Sequence, residues 1–135
     1  MNDKESLSLA VMDEIMSSAL GFAADNHWAV SVAICDEAGF LLAFKRLPKA
    51  PLFSAKLAIE KARTSAISMR DTKVFEDMVN GGKISILSAS EVICIEGGVV
   101  MLKNGQMIGG LGVSGAKSSE DGEIARHALE VLAPD

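Results

Sequence analysis

Residues 28–35 alternate: Val30, Val32 and Ile34 fall on one side, and Ala29, Ser31, Ala33 and Cys35 on the other. A period of two marks a strand. The second set is all small, so that face should receive a closely packed neighbour. Asp36-Glu37-Ala38-Gly39 reads as a turn, and 40–46 as the returning strand. Two stretches have helical spacing instead. In residues 7–23, Leu7, Val11, Ile15, Ala19 and Phe22 form one stripe, and Asn26 supplies a stop. In residues 53–69, Ala55, Ala58, Ala62, Ala66 and Met69 form another. This alanine seam suits a helix lying close on a sheet or on a second copy of the chain.

Asp71-Thr72 opens a short helix that ends at Asn80-Gly81-Gly82, and 84–90 fits no single period. Residues 92–95 read as a strand. Next comes a hairpin. Apolar strands on either side of Asn104-Gly105 predict a type I′ turn, which needs positive φ at both central residues. The second strand ends in a corner containing Gly109, Gly110, Gly112 and Gly115. Without side chains, these positions admit another backbone or a ligand. Ser118-Ser119-Glu120-Asp121 resembles a capping box, and a last helix runs to Leu132. The order is α-β-β-α-(α)-β-β-β-α. Hairpins dominate it, so the fold class is α+β, a mainly antiparallel sheet with helices packed on it.

Two familiar motifs fail their context. Gly110-Leu111-Gly112-Val113-Ser114-Gly115 spells a dinucleotide fingerprint, but it stands near the end of the chain and no further strand can follow. Gly112-Val113-Ser114-Gly115-Ala116 departs from a nucleophile elbow at its fifth position. Asp121 and His127 would lie on different faces of one helix, which does not build a triad behind Ser114.

With 135 residues the chain forms a single domain, 1–135, and its 49% hydrophobic content makes it globular. Mean hydropathy is +0.28, high enough to suggest burial between subunits. The net charge of −5 argues against nucleic acid as a partner. The apolar runs are too short to span a membrane, and the N-terminus lacks the character of a secretory signal. Cys35 and Cys94 show neither metal spacing nor a CxxC motif, so we expect no metal site, two buried reduced thiols and a cytoplasmic location.

Three segments together carry a resemblance. They are Val32 to Arg46, then Ala58-Ile59-Glu60-Lys61-Ala62-Arg63-Thr64-Ser65-Ala66, then the Gly97-Gly98 hairpin through Gly115 with Asp121. Together the chain resembles the GlcG/HbpS family, the haem-degrading-domain-like proteins that include the C-terminal domain of PduO-type proteins. The likeness runs from the first helix to the last. It implies a profilin-like fold with a five-stranded antiparallel sheet, and homo-oligomers, dimeric or octameric. It also implies haem as a ligand of some members. The loop Arg46-Leu47-Pro48-Lys49-Ala50 differs from the family's usual run.

The residues themselves point to an acidic ligand. Arg46 and Lys61 are cations at the end or on the face of apolar elements, suited to a carboxylate or a haem propionate. The alternative is a snorkelling surface cation, or an ion pair with Asp36 or Asp121. Gly112, Ser114 and Gly115 precede a helix N-terminus, where backbone N–H groups receive anions. His27 and His127 are the histidines available to iron. The expected function is a small-ligand-binding accessory protein for haem, another tetrapyrrole or an acidic metabolite, associated with small-molecule catabolism. The alternative is a proton-transfer enzyme or isomerase for a hydroxy- or oxo-acid, with Asp36 or Asp121 as base. A purely structural subunit is the third reading.

Overall fold

The structure, a computed structural model, describes residues 7–133. Residues 1–6, on which the reading of the N-terminus rests, lie outside them. Helix α1 spans Leu9–Asp25, strands β1 and β2 are Ser31–Cys35 and Leu41–Arg46, and helices α2 and α3 are Ser54–Ser68 and Thr72–Asn80. A 3₁₀ turn, Ile84–Ser88, follows. Strands β3 (Gly98–Lys103) and β4 (Gln106–Ser114) form the hairpin, and α4 (Ser118–Ala128) runs into a final 3₁₀ turn, Leu129–Leu132. The sheet is antiparallel, in the order β2-β1-β4-β3.

The alternation in β1 decides what each face of the sheet holds. Val32 and Ile34, with Val99, Met101, Leu111 and Val113, pack against α1 and α4 through Ile15, Met16, Ala19, Ile124 and Ala128. On the other face Ala33 and Cys35 meet Ala58 and Ala62 of α2. Gly112 pairs with Ala33 and Gly110 with Cys35, so both glycines lie under the same helix. A β-carbon at Gly112 would collide with the Ala58 carbonyl oxygen, and one at Gly110 with that of Ala62. The alanine seam and the glycine corner are therefore two halves of one contact, backbone against backbone. The seam packs inside the chain at Ala58, Ala62 and Ala66, while Met69 is exposed. Asn104 and Gly105 both have positive φ, at 53° and 79°, as the hairpin reading requires.

The sheet has four strands, not five. Residues 92–95 do not form the expected strand, because their neighbourhood bonds to side chains instead. The Ile93 N–H donates to Thr64 Oγ1 (3.1 Å) and the Glu96 N–H to Glu76 Oε1 (2.8 Å). The outer edge of β3 is likewise met by side chains. Gly98 N–H donates to Thr72 Oγ1 (2.8 Å) and Val100 N–H to Asp71 Oδ1 (2.9 Å). Asp71 stands at the N-cap of α3, but its carboxylate serves the sheet edge and not the helix. Cys94 is half-buried rather than buried, and both cysteines are free thiols. Burial, with Asp36 nearby, pushes the Cys35 thiol up to about 11.

Helix α1 ends at the expected signal, Asn26. Asn26 is the cap, but the left-handed residue is His27, with φ 62°. His27 N–H reaches the Ala24 carbonyl (3.0 Å) and Trp28 N–H that of Ala23 (2.8 Å), which is a Schellman closure. Glycine suits that position better than histidine. His27→Gly is expected to raise stability by up to about 1 kcal/mol, because relief of the left-handed strain outweighs the unfolded-state entropy that glycine adds, read from the urea midpoint.

Candidate functional site

Lys61 and the turn before α4 lie together, and their polar groups satisfy one another. Lys61 points inward from α2, its side chain 1% exposed. Its ammonium donates to Asp121 Oδ2 (3.1 Å) and to the Val113 carbonyl (3.0 Å). The other carboxylate oxygen of Asp121 accepts from the Ala116 N–H (2.9 Å), and the Gly115 N–H also supports the carboxylate. The turn before α4 thus receives an anion through backbone N–H groups, as the sequence suggested. That anion is the protein's own Asp121.

Glycine makes room for this pair as well. A β-carbon at Gly97 would stand 2.7 Å from Lys61 Nζ. Gly98 lies against the Lys61 carbonyl, and Gly122 against the Glu96 carboxylate. Burial dominates the electrostatics of both partners. It pushes the Asp121 carboxyl up to about 6 despite the attraction of Lys61, and it lowers Lys61 despite Asp121.

A second tier of charge surrounds the pair. Glu96 is buried, and its carboxylate accepts from Arg126 Nη1 (3.0 Å). Glu76 holds the Glu96 N–H and lies 3.5 Å from the Ser118 hydroxyl. Sequence reasoning missed Glu76, Glu96 and Arg126. One signal was present: Gly122 inside a helical pattern usually has a packing reason, and here the reason is Glu96. Ser118 is not the cap of α4. Lys117 stands there, and its N–H donates to Glu120 (3.1 Å).

The remaining candidates lie apart. Ser114 is buried and pairs with Ser31, which pairs on its other side with Arg46. Arg46 is therefore two strands from Ser114, about 10 Å at ordinary strand spacing. It is exposed, and among the described residues no carboxylate pairs with it. Asp36 sits at the far end of β1, where its Oδ1 accepts from the N–H groups of Ala38 and Phe40 (both 2.9 Å). That is a turn role. His127 stacks on Phe22 at 4.2 Å between ring centroids, on the α1 and α4 side of the sheet. Two surface cavities lie elsewhere, one of about 300 Å³ beside Arg63 and Glu91, and one of about 340 Å³ beside Leu102 and Leu129.

Fold and corner together define a small α+β domain. Its antiparallel sheet is clamped by a helix lying on glycines and closed by a buried lysine–aspartate pair. The chain belongs to the family described as haem degrading protein HbpS-like, whose model matches residues 7–130. It is 38% identical over 133 residues to protein GlcG of Escherichia coli K12, covering 98% of this chain and 99% of that one. It is 29% identical over 130 residues to the corrinoid adenosyltransferase PduO of Salmonella typhimurium, spanning 93% of this chain but only 39% of that longer protein.

Among solved structures, the PduOC:haem complex matches with a TM-score of 0.85 at 31% identity, over 95% of this chain and 96% of that one. A variant of Streptomyces reticuli HbpS matches with a TM-score of 0.87 over 99% and 92% of the two chains. At 24% identity that likeness shows the fold alone. No helix among the described residues is long and apolar enough to cross a membrane.

Proposed function

We propose that this protein is a small-ligand-binding accessory protein that self-associates in the cytoplasm and takes haem, another tetrapyrrole or a small acidic metabolite. The observation that carries the reading is the near-complete match to a 31% identical domain crystallised with haem. Arg46 is the candidate for the ligand's acidic group, because its cation is exposed while that of Lys61 is paired. Lys61, Gly112 and Ser114 are buried and Gly115 is half-buried, so in this reading they brace the sheet beside Arg46 and do not touch the ligand. The end of β2 offers a propionate the Arg46 guanidinium. Of the two histidines, His127 packs on the opposite side of the sheet against Phe22, and His27 is exposed just before β1. No axial ligand is assigned.

The alternative, a proton-transfer enzyme for a hydroxy- or oxo-acid, is favoured by Asp121, whose carboxyl at about 6 suits a base near neutral pH. Its side chain, 3% exposed, would have to be uncovered first.

Titration with hemin tests the haem reading. A saturable shift of the Soret band is expected, with Arg46→Met weakening binding roughly tenfold through loss of a charge-assisted contact. A spectrum that is the simple sum of protein and free hemin overturns the haem reading. Unchanged affinity in Arg46→Met moves the acidic contact elsewhere.

A further inference from the structure

Asparagine is a thermally labile residue, most of all before glycine, whose nitrogen reaches the asparagine side chain unobstructed by a β-carbon. The asparagines of the described residues are Asn26, Asn80 and Asn104, and the fold treats them differently. Asn26 is followed by His27, whose N–H donates to the Ala24 carbonyl (3.0 Å), and its own amide donates to the Phe22 carbonyl (2.9 Å). Asn80 ends α3, and the Gly81 N–H donates to the Asp77 carbonyl (2.9 Å). Asn104 and Gly105 are exposed at the hairpin tip, and the pair that closes the turn is Lys103 with Gln106. Among the described residues no carbonyl accepts from the Gly105 N–H. Nothing stands within 4 Å of where a β-carbon on Gly105 would be.

We propose that Asn104-Gly105 is the site at which this chain deamidates spontaneously, and that the irregularity in the β3–β4 pairing confines the damage to the hairpin tip. The Gly105 nitrogen loses its proton to hydroxide or a buffer base and attacks Cγ of Asn104. The N–Cγ bond forms, the Cγ–Nδ2 bond breaks, and ammonia leaves a cyclic imide behind. Water then opens the ring at either carbonyl. One opening gives aspartate. The other gives isoaspartate, in which the chain runs through the side-chain carbon. The net change is water in and ammonia out, with no redox step. The reaction needs no ligand, so it is independent of the functional reading above.

The two products ask different things of the turn. Asp-Gly suits a type I′ turn as Asn-Gly does. Isoaspartate lengthens the two-residue loop by one backbone carbon and strains the pairing of Lys103 with Gln106. That strain stops a short way along the strands. Leu102 pairs with Met107 but Met101 with Gly109, so the register already shifts between them. A bulge of this kind absorbs an irregular length locally. Beyond it Gly110 and Gly112 are pressed against the Ala62 and Ala58 carbonyls of α2, which fixes the register there.

Ageing the full chain in warm, mildly alkaline buffer tests both claims, read by peptide mapping in the mass spectrometer and by enzymatic methylation of isoaspartate. The mass gain of ammonia-for-water exchange is expected at Asn104 roughly tenfold faster than at Asn80, the rate cost of freeing one backbone hydrogen bond. In urea the two Asn-Gly sites should react at similar rates, because the Gly81 bond is then lost. Asn104→Gly leaves a Gly-Gly pair that still fits the turn, and it should abolish both signals at the hairpin. Hydrogen exchange in the aged chain should quicken at Lys103 and Gln106. It should stay unchanged at Val100 and Val113, whose N–H groups are held by Asp71 and Gly97. An unmodified Asn104, or equally fast reaction at Asn26 or Asn80 in the folded chain, overturns the assignment. Faster exchange at Val100 or Val113 overturns the confinement.

Discussion

Lys61→Met is expected to lower stability by about 3–5 kcal/mol, because it leaves the Asp121 carboxylate buried without its cation. Urea unfolding followed by circular dichroism reads this directly. The companion variant Lys61→Met/Asp121→Leu should recover much of the loss, since removing both charges also removes the cost of burying them. A single variant as stable as wild type would show that Lys61 is not a structural partner.

The pH dependence has a definite sign. Burial raises the folded-state pKa of Asp121 from 3.8 to about 6, so between those values the folded protein binds more protons than the unfolded chain. The Asp121 contribution to stability is therefore present below pH 4 and declines as pH rises toward 6. Without Lys61 the folded pKa must climb further. The cost of Lys61→Met should then be larger at pH 7 than at pH 5. Equal costs would place the carboxylate in a wetter environment than its 3% exposure indicates.

Gly112→Ala carries the other large effect. Its methyl group would overlap the Ala58 carbonyl oxygen and stand 2.5 Å from the Ala62 nitrogen. Both are backbone atoms of a helix, so no rotamer change relieves the overlap, and α2 must lift off the sheet. A loss of about 3 kcal/mol or more is expected, read as a lower Tm and a reduced folded yield. Gly21→Ala is the opposite case. Nothing lies within 4 Å of that position in α1. Alanine there should raise stability by about 0.5–1 kcal/mol through helix propensity. A harmless Gly112→Ala would mean that the glycines are not required for the helix–sheet contact.

How far the sequence could be read depended on the range of the forces involved. Local periodicity located α1, α2 and β1, and cap and turn residues located α3, β2 and the Asn104-Gly105 hairpin, within a few residues. Those patterns are written along contiguous chain. The small residues of β1 announced a close neighbour, and α2 is that neighbour. The family was legible too, from three separated segments taken together.

The reading weakened where partners come from distant segments. Residues 92–95 have a strand's composition, yet Thr64 and Glu76 take the N–H groups at and after that run. Lys61 and Asp121 are 60 positions apart, so their pairing was one of several options until the fold brought them together. Glu96 and Arg126, 30 positions apart, gave no signal of their own. For an anion-receiving turn, the sequence can show the capacity to bind. It does not show whether the anion comes from outside or from the chain itself.

The side chains at the outer edge of β3 also limit how the molecule can assemble. Thr72 and Asp71 already accept from Gly98 and Val100, the N–H groups that an incoming strand would need. Growth of the sheet by strand addition therefore lacks a start site along that stretch. A polymer that propagates edge to edge needs two open ends per subunit, and this subunit presents one capped end. Edge-to-edge pairing along β3 would first have to displace Thr72 and Asp71, so the fold works against open-ended growth of the sheet at that edge.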